Sequence, residues 1–148
     1  MTTGDPYNLQ RFVDAQQEIF GQVLRELREG RKQSHWMWYI FPQIKGLGSS
    51  PMAQRYAILS LDEARAYWAH PVLGDRLREC TQLVTAARGQ SIEDILGYPD
   101  NLKFHSSMTL FAHATEPSST VFDDALRKYF RSEYDHLTMG RLSSSWPT

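Results

Sequence analysis

The chain has 148 residues, 41% of them hydrophobic and 22% charged, with a formal net charge of -1. A chain of this length buries roughly two-thirds of its unfolded surface as one ordinary domain, and the composition excludes a mostly disordered protein. Near-neutral charge excludes a dedicated DNA binder, which needs clustered Lys and Arg to neutralise phosphates, and the single Cys80 excludes an internal disulfide.

From Asn8 to Glu29, apolar residues at Leu9, Phe12, Val13, Ile19, Phe20, Val23, Leu24 and Leu27 recur at spacings of three and four. That pattern predicts one amphipathic helix, capped near Asp5 or Asn8 and stopped by Gly30. Ser34 is placed to cap a second helix, aromatic on nearly every side, that runs through Trp36, Trp38 and Tyr39 to Pro42. A helix of that composition is buried on most sides or lines a pocket.

The loop Gly46-Leu47-Gly48-Ser49-Ser50 leads to Pro51, which reads as the first residue of a helix capped by Ser50. Ser60-Leu61-Asp62-Glu63 matches the capping box and predicts a helix to about Ala69. His70-Pro71 starts the next, which places Leu73, Leu77, Cys80, Leu83, Val84 and Ala87 inward and ends near Arg88 at Gly89. Ser91 begins a short turn of helix ending at Gly97, Asp100 caps a helix through about Ala114, and Ser118 or Ser119 starts a last helix carrying Val121 to Phe130. No strand pattern competes, apart from a short apolar run at Met108 to Ala112 with helical flanks. The expectation is a single compact all-α domain of about seven helices over residues 5–142 with no significant sheet, and a flexible tail over residues 143–148.

Met1 to Pro6 lack the character of a signal peptide, and no apolar run approaches the roughly 18 residues of a membrane span. The protein is therefore expected to be cytoplasmic and free of membrane, as a monomer or a homodimer. The sequence presents no cofactor motif, no cysteine cluster and no close histidine pair, so neither a cofactor nor a metal site is expected.

Two clusters could carry chemistry. In the first, Arg28, Arg31, Lys32 and His35 bring positive charge to a helix junction beside Trp36 and Trp38. Such a segment can hold a phosphate and stack a flat ring; it can equally be a solvated helix end next to core tryptophans. Glu26 is the carboxylate placed to pair with this cluster and, beside His35, to act as a general base. In the second, Lys103 and Ser106 share a helical face, as do His105, Thr109 and His113. Lys103 with Ser106 superficially resembles a Ser/Lys hydrolase pair, but the order and spacing differ and there is no nucleophile elbow. A structural role for Ser106, Ser107 and Thr109, bonding carbonyls one turn back, is the competing reading. His70 reads as a cap, and Cys80 as a small core residue.

The runs Asp5 to Gln16, Glu26 to Gln43 with its Ser34-His35-Trp36-Met37-Trp38 block, and Lys103 to Phe111 with Ser106-Ser107-Met108-Thr109 resemble the small bacterial and fungal family called domain of unknown function eighteen-ten. The likeness spans about Asp5 to Asp135. It implies a stand-alone helical domain and transfers no activity. Members are often labelled calpastatin, after long, repetitive, disordered protease inhibitors; this compact chain without repeats argues against that label. The family pattern's strong polar positions, Asp5, Asn8, Arg11, Glu26, Arg31, Lys32, His35, Gln43, Lys103, Ser106 and Thr109, are all present.

Two functions follow from the residues. One is a ligand-binding or enzymatic domain whose pocket takes a small anionic, ring-bearing molecule, a nucleotide or ADP-ribose derivative. Arg31, Lys32 and Lys103 would hold phosphate, Trp36 or Trp38 would stack, Gln43 and Ser106 would line the site, and His35 with Glu26 would serve as acid and base. The other is a non-catalytic interaction module with Tyr39, Tyr67 or Trp68 as docking aromatics.

Overall fold

The computed structural model describes residues 5–118 and 120–144. Among them the chain forms α1 (Gln10–Gln17), α2 (Phe20–Arg28), α3 (Met37–Ile40), α4 (Pro51–Arg55) and α5 (Leu61–Ala69), then α6 (Leu73–Ala86), α7 (Ile92–Leu96), α8 (Asp100–Ala114), α9 (Val121–Phe130) and α10 (His136–Ser144). The all-α expectation holds, with ten helices in place of about seven; an isolated parallel bridge between Ile44 and Ile58 is the one β feature among the described residues.

The centre is α8. Beyond its polar first turn its residues are mostly apolar or small, and Phe104, Met108, Leu110 and Phe111 have no exposed surface. A helix with so little polar surface is stable only when largely surrounded, and α8 packs against α5, α7, α9 and α10. Rings run through this core, in edge contacts of Phe12 on Tyr67 at 5.0 Å and Phe41 on Phe104 at 4.9 Å and a tilted contact of Tyr67 on Phe111 at 5.4 Å. Each such pair contributes about 0.5–1.5 kcal/mol beyond its buried area.

Local capping places most helix starts where the sequence predicts. Ser50 and Ser60 each accept the amide three residues on, and Ser91 and Asp94 close a full capping box. His70 Nδ1 accepts the Val72 and Leu73 amides, which makes it the cap expected of it, with α6 beginning at Leu73.

Other starts differ. The predicted helix from Asn8 to Glu29 is broken at Glu18 and Ile19, which lets its two halves serve different partners: α1 packs on α3 and α2 on α6. The aromatic helix is only four residues long, and Ser34 does not cap it, because the Ser34 hydroxyl is bonded to Glu26. Asp100 lies inside the first turn of α8 and faces two lysines instead of capping. Thr120, not Ser118, caps α9, while Ser119 lies outside the described residues. The helix α10 is additional to the expected set and includes residues 143 and 144 of the expected tail, whose last four residues lie outside the described region. No helix among the described residues is long and apolar enough to cross a membrane.

Candidate functional site

Glu26 is the organising group of the first cluster. Its side chain is buried, and its carboxylate accepts hydrogen bonds from the Gln33 amide at 2.8 Å, the Ser34 amide at 3.1 Å, the Ser34 hydroxyl at 2.6 Å, Trp36 Nε1 at 2.9 Å and Gln22 Nε2 at 3.0 Å. Burial raises its pKa, but the bonds from Ser34, the Gln33 amide, Trp36 and Gln22 outweigh burial and hold it at about 2. A carboxylate so well solvated by the protein has no basicity for proton abstraction near neutrality. The general-base role expected of Glu26 is therefore corrected to that of a clamp, which folds residues 33–36 back onto α2.

The two tryptophans separate in role. Trp36 is 1% exposed, bonded to Glu26, and covered by the Lys32 ammonium 5.1 Å from its ring, so it is core and not a stacking platform. Trp38 is half-buried, with the Lys103 ammonium 5.5 Å from its ring centroid. Asp100 stands between the lysines, 2.7 Å from Lys32 Nζ and 3.5 Å from Lys103 Nζ. The Lys32 side chain is only 7% exposed and is committed to that pair, which removes it as a free phosphate ligand. Lys103 is the more open of the two at 30%. Its position is fixed by Asp100 on one side and the Trp38 ring on the other.

Lys103 projects into a groove of about 440 Å³ between the loop 47–50, the first turns of α8 and the start of α10. Gln43 and Ser106 line the same groove, as do Leu47, Leu102, Asp135 and Leu137. Its volume falls within the lower part of the range of small-molecule sites, roughly 300–1,000 Å³. Ser106 Oγ donates to the Leu102 carbonyl at 3.2 Å and Asp135 Oδ2 at 3.1 Å, and Asp135 in turn caps α10 through the Thr138 amide at 2.9 Å and hydroxyl at 2.6 Å. The Gln43 carboxamide and Asp135 Oδ1 take part in no hydrogen bond among the described residues, so both are available to a ligand. Gln43 and Trp38 also meet in a narrow cleft next to the groove.

Of the residues singled out from sequence, Gln43, Lys103 and Ser106 thus converge, Trp38 adjoins them, and Lys32 supports Lys103 from behind through Asp100. Arg31 and His35 do not join them: both are exposed, and neither lines this groove. Without Arg31, His35 and a basic Glu26, the expected phosphate clamp and acid–base pair are not assembled. Thr109 Oγ1 returns to the His105 carbonyl at 2.8 Å, the structural role weighed for it. Cys80 has no exposed surface, and burial pushes its thiol far above the ordinary range. No group of three or more metal-ligating side chains gathers among the described residues.

Of the docking aromatics of the competing reading, Tyr67 is fully buried, where its hydroxyl accepts from Gln16 at 3.1 Å, while Tyr39 is half-buried and Trp68 is half-buried against Phe122 at 4.9 Å. Asp135 and Leu137 are the groove residues that sequence reasoning missed. The signal that could have found them was an Asp three residues before a Thr at a helix start, the Asp135 to Thr138 cap.

The family described as a protein of unknown function, DUF1810, matches residues 6–142. A conserved hypothetical protein of Mycobacterium tuberculosis, known from its crystal structure, is similar at 53% identity and a TM-score of 0.91, over 94% of this chain and 99% of its own. No curated protein matches.

Proposed function

Because the chain belongs to the DUF1810 family, whose description names no activity, we propose from the geometry that it is a small-molecule-binding domain. Its ligand is a small anion carrying a ring, of the mononucleotide or ADP-ribose kind, seated in the groove between the loop 47–50, α8 and α10. The observation that carries this reading is the convergence of Lys103, Ser106 and Gln43, distant in sequence, on one cavity of ligand size, with the Gln43 carboxamide unengaged. The Lys103 ammonium, held between Asp100 and Trp38, supplies the positive charge for the anion. Leu47, Leu102 and Leu137 supply apolar walls for the ring, in place of the expected stacking on Trp36 or Trp38. The role proposed is binding.

Isothermal titration against a panel of AMP, ADP-ribose, NAD and sugar phosphates tests this. At least one member binds, Lys103→Ala weakens it by about tenfold or more, and Arg31→Ala leaves it unchanged. The proposal fails if no member binds, or if Arg31 matters and Lys103 does not.

A second reading draws on the rim of the same groove, where Leu102 is 50% and Leu137 70% exposed. Apolar side chains so arranged suit a protein partner. Under that reading Leu137→Asp abolishes association with the partner, while the metabolite panel stays silent.

A further inference from the structure

We propose that Asp135 determines the specificity of this groove, selecting ligands whose ring presents an N–H donor, such as the amino group of adenine, over the same ring bearing a carbonyl there. The inference rests on the binding role proposed for the groove. Asp135 Oδ2 accepts hydrogen bonds from the Thr138 hydroxyl at 2.6 Å, the Thr138 amide at 2.9 Å and Ser106 Oγ at 3.1 Å, the last sharing its one proton with the Leu102 carbonyl, and these bonds hold the carboxylate in place. Oδ1 has no partner among the described residues, and Asp135 lines the groove. A carboxylate oxygen can only accept, so this atom attracts an N–H and repels a carbonyl or phosphate oxygen.

Lys103 lies one turn before Ser106 on α8, and Ser106 touches Asp135. The groove therefore carries a cation on α8 and an acceptor from the start of α10 that meets the same helix about one turn, roughly 5 Å, further along. A ligand that satisfies both must carry an anion at one end and a donor at the other. Inorganic phosphate satisfies only the first and suffers from the second. A mononucleotide with an amino-substituted base satisfies both, and the exchange of its amino group for a carbonyl converts an attraction into a repulsion.

Titration calorimetry with AMP and IMP, which differ in the 6-amino against the 6-oxo group and in the proton that IMP carries on N1, tests the assignment on the wild-type chain and on Asp135→Asn. Asn is as good a helix N-cap as Asp and keeps an oxygen for Ser106 and Thr138, while it places an amide donor where Oδ1 stood. The wild type binds AMP at least about tenfold more tightly than IMP, the discrimination expected from one charge-assisted hydrogen bond, and Asp135→Asn loses or reverses that preference. Asp135→Ser, which also caps helices but has no carboxylate, gives the same loss should the Asn variant fold poorly. Equal affinity of the wild type for AMP and IMP overturns the inference, as does an unchanged AMP preference in both variants. If AMP and IMP bind equally and Lys103→Ala abolishes both, the groove reading stands and only the role of Asp135 falls. If neither nucleotide nor any other member of the panel binds, both fall.

Discussion

A carboxylate in a protein interior is stable as an anion only where hydrogen-bond donors replace its lost water, and Glu26 has five of them, one from Gln22 on its own helix and four from Gln33, Ser34 and Trp36, which would otherwise have no reason to fold back on α2. Its folded pKa of about 2 lies below the ordinary 4.5, so its contribution is complete above pH 4.5 and is lost as pH falls from there to about 2. The size is about 3 kcal/mol, at roughly 1.4 kcal/mol per pH unit. Urea unfolding across that acid range should show the loss in the wild type and a much flatter profile, from a lower starting stability, in Glu26→Gln. At this scale part of the proposed groove was legible in the sequence. Lys103, Ser106 and Gln43 were visible because polar residues interrupt or end apolar helices, and the structure brings them together. The charges of Arg31, Lys32 and His35 look equivalent in sequence, yet only Lys32 meets a carboxylate, Asp100, that is 68 positions away; no local pattern encodes such a partner.

At the scale of elements, the first turn of α6 is built around Gly74, whose added Cβ would overlap the Trp68 carbonyl oxygen at the end of α5. Ala is ordinarily the better helix former by about 1 kcal/mol, yet here backbone blocks it. Gly74→Ala should destabilise the fold by about 1–3 kcal/mol, read as a lower urea midpoint, and a stabilised variant would mean that α5 and α6 do not approach as described. Caps such as Ser50, Ser60 and Ser91 were legible because the bonds they make close within three residues. The break between α1 and α2 was not, since the apolar stripe continues through Ile19 and Phe20 and the break follows from packing on α3 and α6. The helix α10 was missed for a related reason. Gly140 in its middle lowers its propensity and its apolar face is short, so Asp135, Thr138 and contact with α8 define it more than propensity does.

For the whole molecule, the all-α class was legible because stripe after stripe has helical spacing and no segment alternates, and a chain so patterned buries its faces only on one another. The helix α8 sits in the middle and leaves its first turns facing outward; with the loop 47–50 and the start of α10 these form the groove. If the groove takes the proposed ligand, filling it stabilises the fold. A ligand present at 100 times its dissociation constant should stabilise the protein by about 2.7 kcal/mol, raising the melting temperature in proportion, and Lys103→Ala should abolish that rise. The most direct test of where the ligand sits is a ¹H–¹⁵N NMR titration with AMP that follows the side-chain N–H signals. The account predicts shifts of the Trp38 indole and Gln43 carboxamide signals, with the Trp36 indole, bonded to Glu26 in the core, unmoved. Shifts confined to the neighbourhood of Arg31 and His35, or a spectrum unchanged at millimolar AMP, would contradict it.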